Sequence, residues 1–231
     1  MNDCIAIIPA RGGSKRIPKK NIKIFSGKPM IYYSIVNALK SKCFKRVIVS
    51  TDDDLIAKIS IKYGAEILFK RPKILSTDKA LTRDVVNHTI NYMNKINVKF
   101  DYACLIYPTA PLIQMNKILQ GYKIIKSNKY DFAFTVTEHQ YPIQRSFKIN
   151  KKNQVKMLYP KYRYVMSNKL DKIYHDAGQF YFGKKDSFLK YKPTFGKKSF
   201  PIMLPKSQVQ DIDDMDDWKI AENLFKTLNE K

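Results

Sequence analysis

The chain has 231 residues, of which 44% are hydrophobic and 13% aromatic, so it can bury the core of one domain. A formal net charge of +23 permits nucleic acid, an anionic membrane or an anionic small molecule as partner, but the lysines are spread along the whole chain without an aromatic RNA-binding motif. We expect neither a membrane partner nor a secreted protein, because no apolar stretch is long enough to span a bilayer and the first residues lack a signal-peptide pattern.

Residues 4–21 open the chain with a short apolar run, a glycine pair and a series of cations. Cys4–Ile8 predicts a strand buried on both faces, and Pro9 ends it. Gly12 and Gly13 allow the backbone to turn and to approach a ligand closely. The cations are Arg11, Lys15, Arg16, Lys19 and Lys20. Together these features predict a polyphosphate cradle, and a solvated basic loop is the alternative.

Strand and helix patterns alternate as far as about residue 137. The strands after the first are predicted from apolar or β-branched runs at 46–51, 65–69, 102–106 and 132–136. The helices are predicted at 30–39, 52–63, 82–93 and 117–126. This alternation predicts an α/β fold with a mostly parallel sheet and helices on both faces. Ligands of such sheets bind beyond the carboxyl ends of the strands, where Pro9, Thr51 and Tyr107 lie.

The alternation stops at the segment 138–174, which we call the arm. It lacks helical periodicity, contains a pattern that fits a β-hairpin at 147–158, and continues with aromatic and basic residues at 159–164. Exposed aromatic residues predict a partner surface, and a floppy surface excursion is the alternative. Strands at 179–182 and 202–204 and a last helix at 215–228 follow, and we assign residues 1–231 to a single domain from which the arm projects.

Two carboxylates precede the last helix. Asp211 and Asp213 lie two apart, so on extended backbone they share a face, while Ile212 points the other way. Such a pair is a suitable platform for Mg²⁺. The alternative is that these carboxylates only complement the helix dipole, as Asp214, Asp216 and Asp217 would.

Residues 8–21, Ile-Pro-Ala-Arg-Gly-Gly-Ser-Lys-Arg-Ile-Pro-Lys-Lys-Asn, resemble the nucleotide-binding signature of the nonulosonate cytidylyltransferases, the CMP-sialic acid synthetase family. Arginine after Ser-Lys is similar to the branch of that family that acts on pseudaminic acid. The resemblance extends to 47–52, to Arg71-Pro72, to 108–111 and to the Asp-Ile-Asp segment before the last helix. It implies the nucleotide-diphospho-sugar transferase-like fold and a homodimer in which the arm takes part in dimerisation.

The resemblance also implies an activity and its residues. The reaction would be transfer of CMP from CTP to the anomeric hydroxyl of a nine-carbon sugar acid, with Asp211 and Asp213 as Mg²⁺ ligands. The implied catalytic residues are these two aspartates, Arg11 and Lys20. The implied nucleotide contacts are Pro9, Ala10, Arg11, Gly12, Gly13, Ser14, Lys15, Lys20, Asn21 and Arg71.

Two departures point to the sugar. Tyr107 stands where the sialate enzymes carry glutamine, and the segment 174–181 replaces their Arg-Pro-Asn-Gly; both are similar to the pseudaminic branch. The predicted sugar contacts are Tyr107, Thr109, Gln144, Arg145, His175, Asp176 and Gln179. Arg145 and Arg163 are candidates to bind the sugar carboxylate as a fork. His175 and Asp176 are not expected to pair through their side chains, because adjacent strand residues point to opposite faces.

Other functions stay open at this stage. The same reaction on legionaminic, sialic or ketodeoxyoctonic acid is one alternative, and a basic nucleic-acid-binding protein without catalysis is a more distant one. We expect no nucleic-acid partner, because the acidic pair and the concentration of cations beside a glycine turn argue against it. Three widely spaced cysteines, Cys4, Cys43 and Cys104, argue against a disulfide framework and for the cytoplasm.

Overall fold

The computed structural model describes residues 3–230. Its strands are β1 (Cys4–Pro9), β2 (Ile24–Phe25), β3 (Lys28–Pro29), β4 (Arg46–Ser50), β5 (Tyr102–Ile106), β6 (Phe132–Glu138), β7 (Phe147–Ile149), β8 (Val155–Met157), β9 (Tyr174–Lys184) and β10 (Ser199–Leu204). Its helices are α1 (Met30–Lys40), α2 (Asp54–Lys62), α3 (Thr82–Lys95), α4 (Met115–Lys126), α5 (Lys185–Leu189) and α6 (Met215–Asn229). The predicted helices are confirmed to within two residues at each end, and α5 was not predicted.

Six strands form the central sheet, in the order β10, β6, β9, β5, β1, β4. β1 pairs in parallel with β4 and β5, and β6 pairs in parallel with β10. β9 is antiparallel to both of its neighbours, β5 and β6. Five strands therefore run in one direction and β9 in the other, which confirms the predicted mostly parallel sheet.

Strand β1 explains why the opening sequence is apolar without alternation. Cys4, Ala6 and Ile8 pack into a buried cluster with α1, α2 and α4. Ile5 and Ile7 point to the opposite face and pack with α3 and α5. Both faces of the sheet are therefore covered by helices, and a strand between them must be apolar at every position.

Helix α6 closes the molecule near the start of α1. Trp218 is buried in a third cluster with Phe25 and Met30, and Phe225 packs at its edge. Trp218 and Ala221 of α6 are thus part of the core. The cluster also contains Ile17 and Ile212, so it joins the cationic loop after β1 to the acidic segment before α6.

The strand predicted at 65–69 is wrong. The structure has only isolated bridges there, Ile48 to Glu66 and Thr51 to Lys70. The segment runs beside the edge strand β4, and the bond from the Arg71 backbone N–H to the Thr51 carbonyl, 2.8 Å long, holds its far end. It follows β4 without forming a continuous ladder.

The arm leaves the sheet between two paired strands, since Glu138 of β6 lies opposite Tyr174 of β9. β7 and β8 form the predicted hairpin, as a two-stranded sheet separate from the central one. Large apolar side chains of the arm are exposed, among them Tyr164 at 89% and Tyr141 at 75%. Among residues 3–230, no helix is long and apolar enough to cross a membrane.

Candidate active site

A cleft of about 720 Å³ opens where β1 and β5 end and where β9, which runs the other way, begins. The predicted site residues that line it are Pro9, Arg11, Ser14, Lys15, Lys20, Asn21, Arg71, Tyr107, Thr109, His175, Asp176, Gln179, Asp211 and Asp213. Ala10, Gly12 and Gly13 lie in the same loop without lining the cleft, and Gln144 and Arg145 lie on the arm. Segments 200 residues apart in sequence therefore converge on one cleft.

The loop after β1 is held by its backbone. The Ala10 N–H donates to the Ser50 carbonyl at 2.9 Å, and the Gly12 N–H donates to Asp52 Oδ1 at 3.0 Å. Asn21 is buried, and its side-chain amide donates to the Arg11 carbonyl at 2.9 Å. The hydrogen bonds of Ala10 and Asn21 thus fix the backbone of the loop.

The glycine pair was predicted to allow a tight turn, and the Ser14 N–H does donate to the Gly12 carbonyl, at 3.0 Å, across Gly13. Neither Gly12 nor Gly13 has a positive φ. A Cβ at Gly12 would lie 2.8 Å from a carboxylate oxygen of Asp53 and 2.9 Å from its Cβ, whereas a Cβ at Gly13 would meet open space. Gly12 is needed because the loop packs against Asp53, the residue that caps α2.

Arg11 and Lys15 share one carboxylate. Arg11 Nη1 lies 2.6 Å from Asp78 Oδ1, and Lys15 Nζ lies 2.6 Å from Asp78 Oδ2. Asp78 belongs to the loop 77–80 after the Arg71-Pro72 segment and lines the cleft. These hydrogen bonds lower the pKa of Asp78, so its carboxylate is ionised at neutral pH. Asp78 was missed from the sequence, because nothing in its neighbourhood marks a partner more than 60 positions away.

Arg16 and Lys20 face Asp213, in the acidic segment before α6. Arg16 Nη2 lies 2.6 Å from Asp213 Oδ1, and Lys20 Nζ lies 3.9 Å from the same atom while donating to the Ile212 carbonyl. Burial lowers the pKa of Lys20 although Asp213 and Asp211 raise it. Lys20 is thus a partly desolvated cation, for which an anionic partner has the greatest effect.

Arg71 is a buried cation at the carboxyl end of β4. It is 5% exposed, and its guanidinium donates to the hydroxyl of Ser50 at 3.1 Å and to the Ser50 carbonyl. Burial lowers the pKa of Arg71 to about 10, which leaves it charged at neutral pH. The structure therefore fixes this guanidinium at the edge of the cleft.

The acidic segment separates into two functions. Asp211 and Asp213 line the cleft while Ile212, 1% exposed, packs into the core, so the predicted alternation is confirmed. Asp214 caps α6, with Asp217 completing a capping box. The helix-terminal interpretation thus applies to Asp214 and Asp217, while the pair before them faces the cleft.

The acidic pair fits a hard divalent cation. Burial and the charge of Asp213 raise the pKa of Asp211, and a bound cation would relieve this repulsion. Within residues 3–230, no group of three or more His, Cys, Asp or Glu side chains is arranged to hold a metal. A Mg²⁺ ion needs only one or two carboxylates when substrate phosphates and water supply the other ligands.

The other end of the cleft is built around a bulge in β9. Between the pairs Phe134 to Tyr181 and Val136 to Asp176, β6 advances two residues and β9 advances five. Gly178 has φ +61° and donates its N–H to Asp176 Oδ1 at 3.0 Å. The Tyr181 hydroxyl donates to Asp176 Oδ2. The carboxylate of Asp176 is thus held at two points beside the cleft.

Tyr181 was missed from the sequence. Five positions from Asp176, it would lie on the opposite face of a regular strand, and only the bulge brings the two together. Burial raises the pKa of Tyr181 far above its usual range, so the hydroxyl remains a donor. Its ring contacts that of Tyr107, with centroids 5.8 Å apart, and Tyr107 directly precedes the cleft-lining loop 108–111.

The histidines do not form an acid–base pair with Asp176. The opposite-face argument predicted that the His175 and Asp176 side chains would not pair, and Nδ1 of His175 instead hydrogen-bonds to the backbone carbonyl of Asp176 at 2.9 Å. The His175 ring contacts that of His139, with centroids 4.6 Å apart. Gln179, 4% exposed, donates its side-chain amide to the Gln208 carbonyl at the base of the cleft.

Two predicted sugar contacts do not reach the cleft of their own chain. The Gln144 side chain is buried within the arm and donates to the Asp171 carbonyl at 2.9 Å. Arg145 donates to the Val165 carbonyl at 2.8 Å. Both side chains therefore stabilise the arm, and their assignment to the sugar stays a prediction.

The fold and the cleft define an α/β protein with a mostly parallel sheet and a binding cleft at the carboxyl ends of its strands. The chain is similar to the solved structure of CMP:2-keto-3-deoxy-manno-octonic acid synthetase complexed with CTP, with a TM-score of 0.70 and 16% identity over 97% of this chain and 99% of that one. It is also similar to 4-diphosphocytidyl-2C-methyl-D-erythritol synthase from Anaerococcus prevotii, with a TM-score of 0.65 and 14% identity over 96% and 98% of the two chains. At these identities the likeness concerns the fold.

The chain belongs to the cytidylyltransferase family, whose model matches residues 5–221. It is 44% identical to the pseudaminic acid cytidylyltransferase of Campylobacter jejuni (strain 81-176), over 98% of this chain and 97% of the relative. It is 32% identical to the N-acylneuraminate cytidylyltransferase of Escherichia coli O18:K1:H7, over 94% and 51%. The CMP-N,N'-diacetyllegionaminic acid synthase of Legionella pneumophila is 30% identical, over 98% and 97%.

Proposed function

We propose that this protein is a pseudaminic acid cytidylyltransferase. It transfers CMP from CTP to the anomeric hydroxyl of pseudaminic acid and releases pyrophosphate. The observation that carries the proposal is the 44% identity to a pseudaminic acid cytidylyltransferase over nearly the full length of both chains. The cleft supports it, because cations, an acidic pair and a polar bulge lie along one surface.

The nucleotide end of the cleft neutralises the triphosphate. In the reaction the anomeric oxygen attacks the α-phosphorus, the bond from that phosphorus to the bridging oxygen of pyrophosphate breaks, and the proton of the hydroxyl passes to solvent. Such a transfer depends on positioning and charge neutralisation more than on covalent chemistry. Arg11, Lys15 and Lys20 supply the charge, with Lys20 partly desolvated beside Asp213. Arg71 holds the nucleotide at the end of β4.

Magnesium is the proposed cofactor, held by Asp211 and Asp213. When bound, the ion would offset the negative charge of the phosphates. Asp213 must then exchange its ion pair with Arg16 for the metal, which frees that guanidinium for an anion. Lys20 stays beside the acidic pair, because its side chain is only 19% exposed and its ammonium donates to the Ile212 carbonyl.

The sugar end of the cleft offers fixed acceptors and donors. Tyr181 and the Gly178 N–H hold Asp176, which leaves the remaining acceptor sites of its carboxylate for hydroxyl or amide groups of the sugar. Tyr107 and Thr109, which follow β5, line the cleft beside this bulge. We assign the ring substituents of the sugar to this end, with its anomeric hydroxyl turned toward the phosphates.

The arm is the proposed dimer contact. Its exposed aromatic residues, such as Phe147 at 54% and Tyr164 at 89%, have partners in a homodimer. An arm that reaches the neighbouring cleft would also bring Arg145 or Arg163 to the sugar carboxylate. We place the enzyme in the cytoplasm, where its three buried, unpaired cysteines stay reduced.

Pyrophosphate release measured with each nucleoside triphosphate and a panel of nonulosonic acids tests the proposal. We expect release with CTP and pseudaminic acid, and little with ATP, GTP or UTP. Release that depends on CTP but is fastest with legionaminic, sialic or ketodeoxyoctonic acid would support the cytidylyltransferase reaction and contradict pseudaminic acid as the substrate. No release with any combination would overturn the activity.

A further inference from the structure

The loop 77–80 brings a carboxylate to the cations assigned to the triphosphate. Asp78 offers one oxygen to Arg11 and the other to Lys15, each at 2.6 Å. Thr77, Asp78 and Ala80 all line the cleft. A carboxylate with one oxygen on each of two cations occupies the positions that two phosphate oxygens would take, since both anions accept charge-assisted hydrogen bonds from the same donors.

The contact is accessible from solvent. The side chains of Asp78 and Lys15 are 47% and 81% exposed, and that of Arg11 is 35% exposed. An incoming anion therefore reaches both cations without opening the core. The loop is short and polar, and the backbone bond from Ala80 to Thr77, at 3.3 Å, lies within it. Movement of Asp78 away from the cations would thus disturb little else.

Asp213 provides a contrast. It also pairs with a cation of the same loop, Arg16, but it has a second proposed partner in the metal ion. Asp78 instead pairs with Arg11 and Lys15, both of which are assigned to the nucleotide. A bound triphosphate and an Asp78 that stays in place would repel each other.

We propose that Asp78 is an internal counter-ion that competes with the triphosphate of CTP, and with pyrophosphate, for Arg11 and Lys15. The loop 77–80 leaves these cations when the nucleotide binds. It returns to them as pyrophosphate dissociates, which weakens product binding and favours release. The inference rests on the proposed nucleotide site but is tested by binding alone.

The test measures the binding of inorganic pyrophosphate and of CTP by calorimetry in Asp78→Asn and Asp78→Ala. Both variants are expected to bind each ligand about three- to tenfold more tightly than the wild type, because a competing exposed ion pair is lost. The gain should disappear near 1 M salt, where charges are screened within about 3 Å. Asp186→Asn is the matched control. It removes a similarly exposed carboxylate of α5 that pairs with Lys190, and Asp186 does not line the cleft.

The direction of the change decides the outcome. Weaker binding in both variants would mean that Asp78 positions the cations, and binding equal to that of Asp186→Asn would mean that it does not act on the site; either result overturns the proposal. The melting temperatures of the variants identify any loss of folding. If the wild type bound neither CTP nor pyrophosphate, both the proposed function and this inference would be wrong. If the wild type bound them and the Asp78 variants bound them no more tightly, only the role of Asp78 as a counter-ion would be wrong.

Discussion

The two ends of the cleft are built in different ways. The nucleotide end uses one continuous loop after β1, whose cations are already balanced by carboxylates from distant segments, Asp78 and Asp213. The sugar end uses a strand bulge, where Gly178 and Tyr181 fix Asp176, and two of its predicted contacts, Gln144 and Arg145, lie outside the cleft on the arm. Charge can be concentrated by one segment, whereas recognition of a sugar ring requires groups from several directions. Substitutions at the two ends should therefore affect different substrates.

The largest effect is expected at the acidic pair, which lies between the two ends. Asp211→Asn and Asp213→Asn should each lower Mg²⁺-dependent turnover by about 10³-fold, because a preorganised charge partner of the reaction is lost. Asp216→Asn is the control, since that carboxylate is 87% exposed and pairs only at the surface with Lys219. Turnover measured across a Mg²⁺ titration, with circular dichroism for folding, gives the answer. Unchanged magnesium dependence in both variants would mean that Asp211 and Asp213 do not hold the metal and only complement the dipole of α6.

The next largest effect should appear in the kinetics with CTP and not in those with the sugar. Arg11→Ala and Lys20→Ala should lower kcat/KM for CTP by about 10²-fold or more, since each removes a charge from the phosphate end. The KM for the sugar should change far less. Lys58→Ala, on the exposed face of α2, controls for the loss of one positive charge. Near-normal kcat/KM for CTP in both cradle variants would contradict the assignment of this end.

Substitutions in the arm should have a smaller effect, on the KM for the sugar rather than on kcat/KM for CTP. The protein is expected to be a homodimer, and Phe147→Ser together with Tyr164→Ser should shift it toward monomer and raise the KM for the sugar by about tenfold, because exposed aromatics dominate such contacts. Ile61→Ser, which changes an apolar side chain 59% exposed on α2, is the control. Light scattering and sugar kinetics measure the two effects. A wild-type protein that is monomeric at micromolar concentration and fully active would contradict the role of the arm.

The smallest effect concerns nucleic acid. The net charge of +23 should give weak binding that does not depend on sequence, because contacts to phosphates release counterions and weaken steeply with salt. Titration of labelled oligonucleotides at about 150 mM salt should show almost no binding, while activity with CTP persists, since the less exposed cations Lys20 and Arg71 are screened less. Sequence-dependent binding that survives this salt would favour a nucleic-acid function over the one proposed.

Much of the nucleotide end could be predicted from the sequence. A strand buried on both faces has an apolar residue at every position, so Cys4–Ile8 marks both the strand and the place where the cationic loop begins. The alternation of Asp211 and Asp213 around Ile212 depends only on extended backbone and one buried residue. These features are local, so they appear as spacings in the chain.

The features that could not be predicted depend on distant pairing. Asp78 meets Arg11 only because the fold brings two loops together, and local pattern carries no sign of it. Tyr181 joins Asp176 because of a bulge that reverses the usual alternation of β9. The segment 65–69 has strand-like composition, but it lies along the edge of the sheet and forms one isolated bridge, at Glu66, with a second at Lys70 just beyond it.

The central claim is tested most directly by identifying the product. The protein should be incubated with CTP, Mg²⁺ and pseudaminic acid, and the mixture analysed by mass spectrometry together with parallel reactions on legionaminic, sialic and ketodeoxyoctonic acid. We predict CMP-pseudaminic acid with one equivalent of pyrophosphate, at a kcat/KM well above that for the other sugars. Equal or faster formation of another CMP-sugar, or no CMP-sugar from any acid, would contradict the proposed function.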